Sequence, residues 1–455
     1  MLKPIYNSAV RYLRYSAENL PGDTDRIFTF GMSGGGAQSA LMGATGDSAL
    51  YEPYLASIGA VEGYSDAVAG SMCWCPITNL DTANEAYEWN LGSSRTGLDE
   101  ATQALSDGMA DAYTAYINAL GLVDDQGNVL TLDGAERGVG DTGSYANALK
   151  ALIETSLNNF LADTSFPYSA SSGGKGGFGG GRGGMRPSGE LPDGMRPDSE
   201  LPGGMDFDGE EPTDGKGGPM DGEGRTGGLT AQDWADGAVD DGIQRMDGPA
   251  TAGDAETYET AQDYIDALNG DDPWIAYDSA TNTATILSVE GFVNACKPAT
   301  KSVGAFDDLD RIQGENILFG YGDGAGAHFD PVMAELLAGE DRAADYAEDL
   351  ARIDGQGNTV DVRVNMYNPM YYIEDYYDGY RTANVATYWR IRTGITQGDT
   401  ALNTELNLAL ALAAYGADVD FETVWAQGHV EAEHSGTSTE NFIAWVNACL
   451  NGGDA

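Results

Sequence analysis

Between Arg26 and Met42 the sequence places three local signals in immediate succession. Arg26 to Phe30 is a short apolar-aromatic run suited to a buried strand, Gly31-Met32-Ser33-Gly34-Gly35-Gly36 follows, and Ala37 to Met42 consists of helix formers. A strand that delivers a serine straight into a helix must turn sharply. Small neighbours are then required, because the chain packs closely on both sides of the bend. Such a turn exposes the Ser33 hydroxyl and aims the Gly34 N–H at a developing oxyanion. The pattern is weak by itself in a chain with 63 glycines; its position between strand and helix gives it weight. The competing reading is a glycine-rich turn that binds phosphate at a helix N-terminus. Against it stand the absent P-loop lysine and the absent ribose-binding acid.

The remaining pattern sorts into two dense flanks around a long insertion. Leu2 to Ala17 reads as a helix and Val68 to Ile77 as a second strand, so residues 1–80 form the first part of a core. Residues 81–301 read as a lid or cap insertion, with helical stretches between Ala101 and Leu161. Within it 171–228 is low-complexity, Gly-rich and then rich in Pro, Met and acids, a composition that cannot bury enough apolar area to fold and is expected to be disordered. Residues 302–455 resume the core. Asp361 to Met366, Ala386 to Arg392 and Asp420 to Trp425 read as strands, and Ala401 to Tyr415 and Thr439 to Leu450 as helices. Strand–helix alternation in both flanks predicts one α/β, mostly parallel sheet interrupted by the insertion.

Charge removes several function classes. With 23 Lys+Arg against 72 Asp+Glu the formal net charge is −49, and nothing attracts such a chain to nucleic acid or to an anionic membrane surface. No apolar run is long enough to span a bilayer, so membrane insertion is not expected. Met1 to Leu13 carries charges and lacks the continuous apolar stretch of a signal peptide. Four cysteines in 455 residues are not a disulfide scaffold. Cys73 and Cys75 are separated by one residue, too close for a relaxed bridge or a chelating pair. Neither a metal nor a cofactor is expected, since no EF-type calcium spacing occurs in the acidic loop. The acidity suits an extracellular or envelope setting and a salt-adapted cytoplasm equally.

A serine nucleophile requires a base, and the chain has only three histidines: His328, His429 and His434. His429 follows the last candidate strand by a few residues in Trp425-Ala426-Gln427-Gly428-His429, where a loop can bring an imidazole over the serine. His434 is the alternative base. Chain order then calls for an acid after the penultimate strand, and Gly394-Ile395-Thr396-Gln397-Gly398-Asp399-Thr400 offers Asp399. Asp is also a favoured N-cap, so Asp399 has a second reading as the start of the helix near Ala401.

These residues resemble the bacterial (subtype B) tannase-like serine esterases of the α/β-hydrolase fold. The resemblance is carried by Val10-Arg11-Tyr12-Leu13-Arg14-Tyr15, Leu20-Pro21-Gly22-Asp23, the Ser33 turn continuing into Leu41-Met42-Gly43-Ala44-Thr45-Gly46, and Cys73-Trp74-Cys75-Pro76-Ile77-Thr78-Asn79-Leu80. It continues in Ala86-Tyr87-Glu88-Trp89, Met366-Tyr367-Asn368-Pro369-Met370-Tyr371-Tyr372 and Trp389-Arg390-Ile391-Arg392. It covers both flanks and omits the low-complexity insertion. The resemblance implies hydrolysis of small-molecule esters between an aromatic acid such as gallate and a sugar or alcohol. In that reading Ser33 is nucleophile, His429 base, the Asp399 loop the source of the acid, and Tyr87, Trp89 and Trp274 could wall an aromatic acyl pocket. Two departures accompany it. The family usually has an aspartate where this chain has Gln397, while its aspartate two positions later, which in true tannases holds galloyl hydroxyls, matches Asp399. The chain also begins at a helix that normally follows the fourth strand, which predicts an N-terminally truncated sheet with an open edge at the nucleophile strand and any export signal upstream of Met1. A different class, a hydrolase-fold binding protein with an impaired triad, remains open, as do a feruloyl-type esterase and a serine peptidase on the same scaffold.

Overall fold

Short runs carrying aromatic or β-branched residues become the strands of the computed structural model, which describes residues 2–134, 139–169 and 256–452. In chain order the strands are β1 (Phe28–Met32), β2 (Gly70–Trp74), β3 (Tyr168–Ser169), β4 (Thr257–Tyr258), β5 (Ile275–Asp278), β6 (Thr283–Ile286), β7 (Tyr388–Gly394) and β8 (Asp418–Val424). A four-stranded sheet runs in the order β1-β2-β7-β8, and every pair in it is parallel. β3–β4 and β5–β6 are separate two-stranded antiparallel pairs. The register aligns Met32 with Trp74, Trp74 with Arg392 and Arg392 with Glu422, so one row of side chains crosses the C-terminal end of the sheet on a single face.

Each face has its own cover. The helix Ser438–Asn451, opened by a capping box between Thr437 and Glu440, lays Phe442, Trp445 and Cys449 on Phe28, Met72, Trp74 and Tyr388. The opposite face buries Cys73, Trp389 and Ile391 in the main core with residues of α2 (Gly34–Ala44), the helix that follows α1 (Leu2–Tyr15) in the chain, and of the helix Leu402–Tyr415. Gly43 is needed there, because a β-carbon would lie 2.7 Å from the Trp389 ring. β1 forms one edge of the sheet, and Phe30 on it is 61% exposed beside Phe442, with ring centroids 4.6 Å apart.

The helix Ala83–Leu91 joins the sheet to the residues that follow. Every residue in it is buried, four of them polar or charged, Asn84, Glu85, Glu88 and Asn90, and three of these find the hydrogen-bond partners that burial requires. Asn84 donates to Asp330 at 2.6 Å and accepts from Phe306 N at 2.8 Å. Glu88 takes a bidentate pair from Arg95 and a hydrogen bond from Ser106, and Asn90 accepts from Leu402 N. Against this helix pack Glu100–Leu120, initiated by the Asp99 cap, and, through rings of Trp89, Tyr113 and Tyr145, Ser144–Asp163. The described residues belong to one compact unit; the low-complexity segment expected to be disordered lies outside the described residues.

One element differs in kind from the sequence reading. Asp361 to Met366 lies in a helix, Val360–Met366, not a strand. Val-Asp-Val-Arg-Val alternates with a period of two, which suggests a strand, but Val360 and Val364 are both buried one helical turn apart. Arg363 adds the deciding tertiary term: its guanidinium donates to the carbonyls of Leu318, Phe319 and Gly320, the orphaned end of the helix Gly314–Phe319. Among the described residues no helix is long and apolar enough to cross a membrane.

Candidate active site

Ser33 joins β1 to α2 with φ 58° and ψ −122°, a conformation that a side-chain-bearing residue adopts only at a cost of about 1–3 kcal/mol. Its N–H donates to Trp74 O across β1–β2 at 2.9 Å, and its carbonyl accepts from Ala37 N at 2.9 Å as the first bond of the helix. The tight packing that the motif implied is made by Gly31 and Gly36. A β-carbon on Gly31 would strike the Gly35 carbonyl, and one on Gly36 would lie 2.8 Å from Trp74 O, whereas Gly34 and Gly35 have open space around them. Gly34 opens the helix directly after the serine.

The loops after β7 and β8 meet at the same end of the sheet. His429 Nδ1 lies 3.6 Å from Asp399 Oδ2, with the two side chains 21% and 29% exposed, an ion-pair separation longer than a direct hydrogen bond. The two loops are fastened to one another by backbone. Thr396 donates through both N–H and hydroxyl to Gln427 O, at 3.1 and 2.8 Å. The His429 loop also crosses β7 to reach β2, the strand next to Ser33: Cys75 Sγ donates to Val430 O, and Trp74 Nε1 donates to Glu433 Oε1 at 3.0 Å. Trp74 therefore contacts both Ser33, through its carbonyl, and the loop that carries His429, through its indole.

Asp399 is not a helix cap. The N-cap position of Leu402–Tyr415 is Ala401, and no side chain caps it. The turn is stabilised instead by Gln397, whose Oε1 accepts from Asp399 N and Thr400 N at 2.9 Å each, and whose Nε2 donates to Thr400 and to Glu405 Oε1. The buried Gln397 thus shapes the acid turn, and its amide is spent on Thr400 and Glu405. Glu405 also accepts from Thr400 Oγ1 at 2.6 Å, and burial raises its carboxyl above the usual range against the opposing field of Lys297. Lys297 is fully buried, donates to Gln397 O and is pushed down to about 8 by burial, with Glu405 opposing. Tyr87 Oη and Thr300 Oγ1 both donate to Gly398 O, at 2.8 and 2.9 Å. The turn that carries Asp399 is thus held by three separate donors, Tyr87, Lys297 and Thr300.

His434 stands apart from Asp399. Its Nε2 lies 2.8 Å from Glu422 Oε1 and its Nδ1 3.5 Å from Asp163 Oδ2. His328 is buried, stacked on Tyr346 with centroids 3.6 Å apart, and its Nδ1 meets Asp307 at 2.7 Å. The expected aromatic wall is core: Tyr87 and Trp89 are 0% exposed and Trp274 3%. Trp89 packs on Tyr113 and Tyr145, and Trp274 reaches Trp425 through Phe292. Sequence reading gave no supporting role to Gln397 and did not find Glu405, Lys297 or Glu433. A signal existed for Glu405, a lone acid in a Leu/Ala-rich helix. Among the described residues no group of His, Cys, Asp and Glu side chains is arranged to hold a metal ion.

No family model matches the chain, and no curated protein sequence matches it. Solved structures do. A tannase from Fusobacterium nucleatum is 24% identical with a TM-score of 0.64, over 98% of this chain and 72% of that one. A tannin acyl hydrolase from Lactobacillus plantarum is 22% identical with a TM-score of 0.62, over 98% and 70%, and a tannin acyl hydrolase in complex with ethyl gallate matches to the same degree. With its parallel sheet, flanking helices and strained serine between strand and helix, the chain has the α/β-hydrolase fold of these bacterial tannases.

Proposed function

We propose that this chain is a serine carboxylic-ester hydrolase acting on aromatic, gallate-like esters. The observation that carries the proposal is the backbone of Ser33, held at φ 58° between β1 and α2 and bonded to the same Trp74 that anchors the His429 loop. In this reading His429 removes the proton as Ser33 Oγ attacks the ester carbonyl carbon, and Gly34 N–H stabilises the oxyanion. The resulting imidazolium is stabilised by Asp399 and returns its proton to the departing alcohol. Water, deprotonated by His429, then releases the acid and restores Ser33. Lys297, Thr300 and Tyr87, described residues of the 81–301 insertion, hold the turn that carries Asp399. The choice of acyl group draws support from the matched tannin acyl hydrolases, whose structures include complexes with ethyl gallate and 3,4-dihydroxybenzoate.

The test is hydrolysis of ethyl gallate, ethyl ferulate and a matched anilide. The ester should be cleaved, gallate in preference to ferulate, and Ser33→Ala should abolish turnover; an unchanged rate in that variant would reject the assignment. One observation favours a second reading, a hydrolase-fold binding protein: the residue at the family's usual acid position, Gln397, is turned to Thr400 and Glu405. Covalent labelling of Ser33 by a fluorophosphonate separates the two, since a binding protein would not react.

A further inference from the structure

The loop that carries His429 is closed on itself by a residue that the reaction scheme does not use. Glu433 N–H donates to Gln427 Oε1 and Gln427 Nε2 donates to Glu433 O, at 3.3 and 2.8 Å, so residues 427 and 433 pinch the loop at both ends with His429 inside. Two further bonds tighten the interior, Val430 N to Gly428 O and Ala432 N to Val430 O. The Glu433 side chain, 8% exposed, then locks this ring to three other elements. Oε1 accepts from Trp74 Nε1 at the end of β2; Oε2 accepts from Arg390 Nη2 on β7 at 3.0 Å and from Asn441 Nδ2 on the last helix at 2.9 Å.

Four features make this arrangement more than a stabilising ion pair. The anion's three donors come from three elements, so it fixes position in three directions and not along one. Hydrogen bonds to an ionised acceptor are about twice as strong as neutral ones. Arg390 has a second acidic partner in Asp420, and Asp420 is itself held by Arg392 at 2.7 Å, so the surrounding ion pairs survive without Glu433 while the loop loses its anchor. Finally, Trp74 links the anchor to the nucleophile: the residue whose indole binds Glu433 is the one whose carbonyl binds Ser33 N–H. Base loop and serine turn share one rigid reference point.

We infer that Glu433 is a positioning residue that holds the His429 imidazole in register with Ser33 through Trp74. The inference rests on the esterase reading and deepens it. A catalytic group displaced by about 1 Å loses on the order of 10²-fold in rate, so the anchor of the base loop acts on kcat while leaving the substrate contacts that set KM in place.

The experiment compares wild type, Glu433→Gln, His429→Ala and the double variant on ethyl gallate, at a temperature well below every melting transition. Glu433→Gln preserves shape, yet its amide nitrogen faces a guanidinium or an indole N–H. The expected result is a fall in kcat of about 10–100-fold with KM within twofold. In the His429→Ala background the same change should have no further effect, because a residue acting through an imidazole cannot act when the imidazole is gone. A lowered melting temperature with unchanged kcat, or full additivity in the double variant, would overturn the inference and leave the esterase reading standing. If wild type neither turns over esters nor labels with a fluorophosphonate, the esterase reading fails. The inference is then decided by NMR of ¹⁵N-labelled histidine, assigned with His429→Ala and His434→Ala. Glu433→Gln should broaden or shift the His429 ring signals and leave those of His328 in place, and unmoved His429 signals would overturn it.

Discussion

Gly394, the last residue of β7, lies so close to Gly428 in the His429 loop that a β-carbon there would overlap the carbonyl groups of Gly428 and Gln427. The loops that carry Asp399 and His429 therefore meet backbone to backbone, and the contact admits no side chain at that point. Gly394→Ala should force the base loop away from β7. The expected outcome is a loss of about 10²-fold in ester hydrolysis with a destabilisation of about 1–3 kcal/mol, read from kcat and from urea unfolding. Wild-type kinetics in this variant would mean that the loops do not need their contact.

Asp399 and Gln397 occupy one turn and are expected to answer differently to substitution. Asp399→Asn removes the charge that faces His429 and should lower kcat by up to about 10⁴-fold with little change in melting temperature. Gln397→Leu leaves Asp399 N, Thr400 N and Glu405 without their amide partner, so its main effect should be on stability, on the order of 1–3 kcal/mol. Parallel measurement of kcat and thermal unfolding checks the separation; a kinetic defect in Gln397→Leu larger than that of Asp399→Asn would reverse the assignment.

Lys297 and Glu405 are opposite charges enclosed beneath the acid turn. Gln397 stands between them, its backbone carbonyl accepting from Lys297 and its amide donating to Glu405, so removing either charge leaves a buried group under-compensated, at a cost of about 1–3 kcal/mol. Lys297→Met should therefore be destabilising, and Glu405→Gln should recover part of that loss in the double variant. A double-mutant cycle by chemical denaturation measures the coupling. Additive losses would show that the two charges are independent.

Buried carboxyls give stability a pH dependence of predictable sign. Burial raises Asp81 to about 6 despite a hydrogen bond from Tyr377, and raises Asp330 to about 6 with Asp307 adding to the effect; Glu85 beside Asp330 is raised further by burial. A carboxyl whose folded pKa exceeds its unfolded value near 4 favours the native state while protonated. That advantage is lost as pH rises from about 4 through about 6, each group giving up roughly 1.4 kcal/mol for every pH step of one within that window. The melting temperature should fall across this window, against the usual acid-destabilised trend, and Asp81→Asn should flatten the fall because Tyr377 keeps an acceptor. A melting temperature that instead rises from pH 4 to 7 would contradict this.

The strands and helices of both flanks were legible in local pattern wherever that pattern was unambiguous. The Leu/Ala stripe of Leu402–Tyr415 and the apolar run into Ser33 each have one periodicity and one outcome. Val360–Met366 was not legible, because its period-two valines suit either state and only the carbonyls received by Arg363 choose between them. The aromatics Tyr87, Trp89 and Trp274 illustrate the same limit: residue type says that they are buried, and contact alone says against what.

Local sequence determined that Ser33 must sit in a strained strand-to-helix bend, since a small residue at 31 is demanded by Gly35 four positions on, whereas the demand at 36 comes from Trp74 on the neighbouring strand. It also placed His429 and Asp399 after their strands. Tertiary structure decided that His429, and not His434, faces Asp399, because Glu422 and Asp163 approach His434 from β8 and from Ser144–Asp163. It likewise decided that Gln397 and Glu433 hold the two loops. Those choices depend on hydrogen bonds and ion pairs between residues far apart in the chain, and such bonds form only after the parallel sheet has set the register of its strands.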